Sequence, residues 1–248
     1  MARQSRLPPF LLTRPEAQGA RFAEALRQRF GEGIKIIASP LLAPRFLTPQ
    51  ITGGPFNALI FTSETGVQAY GRLSADPALA GVTRCWCVGD RTAEAARALG
   101  LWARSAQGDA AALARAILAE RQPGPLLHLR GAEVRGDLAK LLISAGTETI
   151  SVIVYSQEPR PLTAEATVVL QGFGPVIVPL FSPRTAQLLK VQLRQLSAKA
   201  PLWIAALSPS VAEAFAPDGA ALLAVASRPD ALGMLEALES LIAAAGDA

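Results

Sequence analysis

The sequence predicts an α/β protein of two doubly wound, flavodoxin-like parallel-sheet lobes joined by a two-stranded hinge. Three observations carry this. Short apolar runs alternate with segments of helical period along the whole chain, the pattern of parallel strands crossed over by helices. A faint duplication lays residues 56–105 on 175–224: Ser63 falls on Ser182, Gln68 on Gln187, Ala93-Glu94-Ala95 on Ala212-Glu213-Ala214 and Gly100 on Gly219. Two similar lobes are therefore expected, with a cleft for a ligand. The prolines are densest at 40–55 and 156–163, away from the boundary between copies near residue 122. Cutting at the prolines gives one lobe of 1–39 plus 163–248 and another of 44–157. Residues 40–43 and 158–162 are then the linkers of a double crossing.

The elements follow in order. Residues 10–14 read as a short buried strand, and Pro15 suits the first position of a helix. Phe22, Leu26 and Phe30 recur at helical spacing until Gly31 and Gly33 stop the helix. Residues 34–38 are a strand, and 40–55, with four prolines and two glycines, a linker with some extended pieces. A strand at 58–63 ends in hydroxyls and leads to a helix at 64–73. Strand 85–89 precedes a helix at 91–99 closed by Gly100, then a brief strand at 102–105. An alanine-rich helix spans 108–120 with Asp109 at its start. After a turn at 122–125 come strand 126–130, helix 132–144 and strand 151–155. Beyond the second linker, 163–172 is helical and 176–182 a strand. Helix 183–196, strand 202–207, helix 208–215, strand 221–225 and helix 229–245 complete the chain. The resemblance of L-L-T-R-P (11–15) to L-L-H-L-R-G (126–131) extends the duplication.

Composition narrows the function classes. Half of the 248 residues are hydrophobic and 18% are charged, which supports real cores and argues against disorder. No apolar run reaches a membrane span, and F-L-L after the basic start is too short for a signal peptide. The expectation is a soluble, cytoplasmic monomer. The net charge of +4 comes with scattered arginines and no basic run like a nucleic-acid arm, and aromatic residues are 6%, so stacking platforms are scarce. A small polyanion suits this balance. Cys85 and Cys87 flank Trp86 and share one strand face, poorly placed for a disulfide. With one histidine in the chain, the residues of a zinc site are lacking, and no metal is expected.

In doubly wound sheets, ligands bind beyond the carboxyl ends of the strands. Five such ends place a hydroxyl or small residue before a helix: Thr13-Arg14-Pro15, Thr62-Ser63-Glu64, Gly89-Asp90-Arg91-Thr92, Ser182-Pro183-Arg184 and Ser208-Pro209-Ser210. Helix starts expose backbone N–H groups and a positive dipole end, which suit carboxylates or phosphates. The same hydroxyls serve equally as helix caps, and one residue can do both. No G-x-G-x-x-G, Walker A or G-x-S-x-G pattern occurs. His128 lies inside an apolar strand and reads as structural. Tyr155 ends a strand at the second linker, where a phenol could donate to a ligand or simply pack.

These pieces together resemble uroporphyrinogen-III synthase. They are L-L-T-R-P at 11–15, I-F-T-S at 60–63, V-G-D-R-T-A at 88–93 with Gly100, L-R-G at 129–131, V-Y at 154–155 and F-S-P at 181–183. S-P-S-V-A at 208–212 departs from the family, which more usually has a glycine and threonines there. The resemblance implies a cofactor-free cyclising lyase acting on hydroxymethylbilane. The substrate loses its terminal hydroxyl as water, leaving an azafulvene. The last pyrrole is attacked at its substituted carbon, and the spiro intermediate fragments and recloses with ring D inverted, giving uroporphyrinogen III. Tyr155 matches the tyrosine proposed in the family as the acid for the departing hydroxyl. The strand ends and matched pieces together give the candidate substrate contacts: Thr13, Arg14, Thr62, Ser63, Glu64, Thr92, Arg130, Gly131, Ser182, Pro183, Arg184, Ser208 and Ser210. The competing readings are a bilobed module that binds a small anion without chemistry and a nucleotide-dependent transferase. The missing glycine-rich loop argues against the transferase.

Overall fold

The computed structural model describes residues 7–133, 136–215 and 220–246. Its elements in chain order begin with β1 (Phe10–Leu12), α1 (Glu16–Phe30), β2 (Ile36–Ala38), β3 (Leu42–Phe46), β4 (Ala58–Phe61) and α2 (Glu64–Leu73). Next come β5 (Arg84–Cys87), α3 (Asp90–Ala98), β6 (Trp102–Ser105), α4 (Ala110–Ala119), β7 (Leu126–Gly131), α5 (Leu138–Ser144) and β8 (Thr149–Pro159). The last are α6 (Ala164–Gln171), β9 (Val176–Leu180), α7 (Pro183–Leu196), β10 (Leu202–Ala206), α8 (Pro209–Phe215), β11 (Ala220–Val225) and α9 (Ala231–Gly246). Among the described residues no helix is long and apolar enough to cross a membrane.

The chain divides into two compact units, Met1–Ala43 with Pro159–Ala248, and Pro44–Glu158. The first holds a sheet of order β11-β10-β9-β1-β2, parallel throughout. One face buries Leu11, Val176, Val178 and Ile204 under α6, α7 and α8. The other buries Phe10, Leu12 and Ile177 under Phe22 and Leu26 of α1 and Met234, Leu238 and Leu241 of α9. Cores on both faces make every residue of β9 buried, which is why V-I-V-P-L shows no polar alternation. Its Pro179 lacks an N–H, and the β1–β9 ladder is confined to Phe10 and Ile177.

The second unit has the order β3-β8-β7-β4-β5-β6. Phe61, Cys87, Leu127, Leu129 and Val154 face α2 and α3. Ala58, Ile60, Trp86 and Leu126 face α4 and α5. Cys85 and Cys87 are buried free thiols with Sγ atoms 3.9 Å apart. Numbered within the unit from β4, the parallel strands β6-β5-β4-β7-β8 run 3-2-1-4-5, with the reversal of winding between β4 and β7. The doubly wound class stands, and this order refines it from the flavodoxin order 2-1-3-4-5.

Three boundaries differ from expectation by more than two residues. The proline-rich stretch after residue 40 contains β3, an edge strand that tolerates Pro44. Leu47 N–H donates to the Val154 carbonyl and Arg160 N–H to the Leu41 carbonyl, so β3 runs antiparallel to β8. The strand expected at 151–155 runs from Thr149 to Pro159 because β3 supplies a partner for its second half. The helix expected from 132 starts at Leu138, where the Asp137 side chain accepts from Lys140 N–H and caps it. Residues 134–135 of that expectation, and Gly219 of the duplication, lie outside the described residues.

Candidate functional site

In a sheet of order 3-2-1-4-5 the chain leaves β4 and β7 in opposite directions, and the two carboxyl ends open a crevice. The second unit has a cavity of about 690 Å³ there, lined by Thr62, Ser63, Val88, His128, Arg130, Gly131, Glu133, Lys140, Ser151 and Tyr155 among others. Four candidate contacts, Thr62, Ser63, Arg130 and Gly131, thus meet the candidate acid Tyr155 around one space. The same cavity takes in His128, which the sequence left as structural.

Tyr155 reaches this site through a bulge. β7 and β8 pair Arg130 with Ile153 and then Gly131 with Tyr155, skipping Val154. Strict alternation would put Tyr155 on the same face as Thr149, Ser151 and Ile153. The extra residue turns it over, and Val154 and Tyr155 both join the core on the α2–α3 face. Its ring then lies against the backbone of Gly131. A Cβ at that glycine would sit 2.7 Å from the ring carbon that bears the hydroxyl, so only glycine fits under it.

Tyr155 is 9% exposed, and its hydroxyl lies 2.9 Å from Ser63 Oγ. Ser63 also caps α2, accepting from Gly66 N–H at 3.1 Å. Burial pushes the Tyr155 phenol above its ordinary value; the Ser63 hydrogen bond opposes this and the Glu133 carboxylate adds to it. The phenol therefore keeps its proton throughout the neutral range.

On the opposite face of the sheet, His128 is 4% exposed. Its Nε2 lies 3.3 Å from Thr62 Oγ1 and its Nδ1 3.4 Å from Ser151 Oγ. Burial, helped by the Arg130 guanidinium and opposed by Asp137, pushes its pKa down to about 4. Arg130 Nη1 donates to the Gly131 carbonyl at 2.9 Å, which fixes the guanidinium beside the bulge. The arrangement offers hydroxyl, phenol and cationic donors to a carboxylate-bearing ligand.

The remaining candidates lie elsewhere. Glu64 and Thr92 belong to the second unit but not to the cavity wall. Thr92 is the third residue of α3, buried, and Gly89 occupies the cap position without a side-chain bond, so Thr92 does not cap that helix. Thr13, Arg14, Ser182, Pro183, Arg184, Ser208 and Ser210 follow β1, β9 and β10, three adjacent strands of the first unit. The crevice position there is between β9 and β1, and the Arg14 guanidinium lies 3.8 Å from the Phe181 ring centroid. Thr13 is 1% exposed, with no hydrogen-bond partner for its hydroxyl among the described residues, and Pro15 holds the cap position of α1, which has no side-chain cap. Ser182 caps α7 through Thr185 N–H at 3.2 Å. The Ser208 and Ser210 hydroxyls bond one another at 3.0 Å.

A family model described as Uroporphyrinogen-III synthase HemD matches residues 20–236. No curated protein matches the chain. Among solved structures, uroporphyrinogen-III synthetase from Helicobacter pylori 26695 is 17% identical over 95% of this chain and 100% of that chain, with a TM-score of 0.63. A mutant uroporphyrinogen III synthase from the extremely thermophilic bacterium Thermus thermophilus is 14% identical over 96% and 99%, with a TM-score of 0.47. A further Thermus thermophilus uroporphyrinogen III synthase is 16% identical over 95% and 100%, with a TM-score of 0.38. The Helicobacter pylori likeness carries the fold. The family match takes in every strand from β2 to β11 and the whole Tyr155 cavity, and the chain belongs to the uroporphyrinogen-III synthase family.

Proposed function

We propose that Tyr155 assists loss of the terminal hydroxyl in a chain that acts as uroporphyrinogen-III synthase, cyclising hydroxymethylbilane with loss of water and inversion of ring D. The observation that carries this is the Tyr155 hydroxyl, protonated and held by Ser63 Oγ at 2.9 Å in the wall of the cavity. As the C–O bond of the hydroxymethyl group breaks, the phenol shares its proton with the departing oxygen, which leaves as water. The pyrrole nitrogen supplies the electron pair, and release of its N–H proton, which restores the charge balance with the phenolate, leaves the azafulvene. The Ser63 hydroxyl, placed to donate to the developing phenolate oxygen, supports that charge. A phenol is a weak acid, so its role is assistance rather than full proton transfer in advance of bond breaking.

Orientation is the second requirement. The substrate bears carboxylates on every pyrrole, and its two ends must meet before water traps the azafulvene. Arg130 and Thr62 offer carboxylate contacts in the cavity. Thr13, Arg14, Glu64, Thr92, Ser182, Pro183, Arg184, Ser208 and Ser210 extend the proposal to the other strand ends. The residues named need no metal or nucleotide to perform these steps. The protein is further read as a cytoplasmic monomer built of two lobes joined by two linkers.

The test is incubation with freshly prepared hydroxymethylbilane, followed by separation of the uroporphyrinogen isomers. Isomer III in excess is expected without added metal or nucleotide. Isomer I alone, at the spontaneous rate and with folded protein present, overturns the reading.

A further inference from the structure

Thr62, just past the end of β4, His128 of β7 and Ser151 of β8 form a polar chain, and all three line the cavity. His128 is the only histidine of the sequence. It is buried in a strand whose alternate residues on that face are Leu126 and Arg130. An apolar residue would fill this place without needing polar partners. The imidazole instead touches a hydroxyl at each nitrogen, Thr62 Oγ1 at 3.3 Å and Ser151 Oγ at 3.4 Å.

The hydrogen count decides what this chain can do. A neutral imidazole carries one N–H, and each hydroxyl carries one proton. With the proton on Nε2, His128 donates to Thr62, Ser151 donates to Nδ1, and the Thr62 proton is left to point into the cavity. With the proton on Nδ1, His128 donates to Ser151, and Thr62 spends its only proton on Nε2. The first arrangement frees the Thr62 proton, beyond the carboxyl end of β4; the second frees the Ser151 proton instead, level with His128 and further from the strand ends.

We propose that His128 is a positioning residue for Thr62, and that an anionic ligand in the cavity selects the Nε2–H tautomer, freeing the Thr62 proton to bind it. This rests on the reading that the substrate occupies this cavity. Buried between the sheet and α5, the imidazole faces Arg130 on its own strand and Asp137 at the head of that helix. It stays neutral near pH 7, so the switch is one of tautomer and not of charge.

The single histidine makes the test direct, because the imidazole ¹⁵N spectrum belongs to one residue. The wild-type protein is measured with and without saturating uroporphyrinogen III under anaerobic conditions. The Nε2–H population is expected to rise on binding, and Thr62→Val to abolish the rise. His128→Leu is expected to raise KM about fivefold, the size of one neutral hydrogen bond, with kcat unchanged. His128→Gln, which restores an N–H donor towards Thr62, returns KM towards the wild-type value. A wild-type enzyme that makes isomer III but whose tautomer ratio ignores the ligand overturns the proposal. So does an unaltered KM in folded His128→Leu. Wild-type protein that yields only isomer I removes the function on which the proposal rests, and the proposal falls with it.

Discussion

Tyr155 must hold its proton until the departing oxygen calls on it, and burial provides that by raising the cost of the phenolate. The same burial makes it a poor acid, so its contribution lies in the lower part of the range for positioned acids. Tyr155→Phe keeps the ring against Gly131 and removes only the hydroxyl. Single-turnover rates with hydroxymethylbilane should fall about 10²-fold, with the folding transition near that of the wild type. An unchanged rate would return Tyr155 to a packing role. Gly131→Ala tests the same geometry from the other side. Its Cβ would meet the tyrosine ring at 2.7 Å, so the variant should lose activity and stability together, unlike Tyr155→Phe. His128 yields a third expectation, read from pH. Its folded pKa of about 4 lies below the ordinary 6.5. Above 6.5 neither folded nor unfolded chain protonates it, and it costs nothing. As pH falls from 6.5 to 4 the unfolded chain takes up a proton that the fold refuses, and stability drops by up to roughly 3 kcal/mol. Below 4 this group adds nothing further. Denaturant unfolding between pH 6.5 and 4 should show that slope in the wild type and a smaller one in His128→Gln.

Helix ends and one bulge separate what the sequence made legible from what it hid. Ser63 and Ser182 were expected as strand-end hydroxyls before helices, and both accept from a backbone N–H three residues on. The capping is legible because it depends only on neighbours in the chain. Thr92 looked equivalent but sits inside the first turn of α3, since Gly89 can occupy the cap position with no side chain at all. The bulge at Val154 was not legible. S-V-I-V-Y carries no glycine or break in pattern, and the extra residue is set by the register against β7 and by the space above Gly131. A partner strand distant in sequence therefore decides which face Tyr155 occupies. The late start of α5 had a local signal, Asp137 followed three residues later by Lys140, whose N–H it accepts. The reading of a helix from residue 132 passes over that signal. Asp137→Ala should cost about 1 kcal/mol of stability and loosen a helix that lines the cavity, whereas Asp137→Asn should retain most of the cap. Chemical denaturation of the two variants beside the wild type measures the difference.

The duplication is plainer in topology than in identities. β9-α7-β10-α8-β11 in the first unit repeats β4-α2-β5-α3-β6 in the second, and β1-α1-β2 repeats β7-α5-β8. The strand orders correspond position by position, β11-β10-β9-β1-β2 with β6-β5-β4-β7-β8. The difference lies in where the strand–helix–strand piece falls in the chain. In the second unit it follows the other three strands, whereas in the first it comes from the amino-terminal end, some 140 residues earlier. The sequence signal was weak because few side chains need be shared to keep a strand apolar on both faces. The placement has a mechanical consequence. β1 is an inner strand between β9 and β2, and Phe10, Leu11 and Leu12 are all buried. Without residues 1–43, β9 would lose its neighbour, and the apolar sides of α9 and β9 that pack on Phe10, Leu12, Phe22 and Leu26 would face water. Burial of each such side chain is worth about 1.5–3 kcal/mol, and four of them exceed much of the stability of an ordinary domain. A fragment of residues 159–248 should therefore fail to fold. A fragment of residues 44–158 holds β4 to β7 whole, most of β3 and β8, and both cores of its unit, and should unfold cooperatively by itself. Circular dichroism through a denaturant titration of the two fragments checks this. A cooperative transition for 159–248 would show that β1 and α1 are dispensable to the first unit.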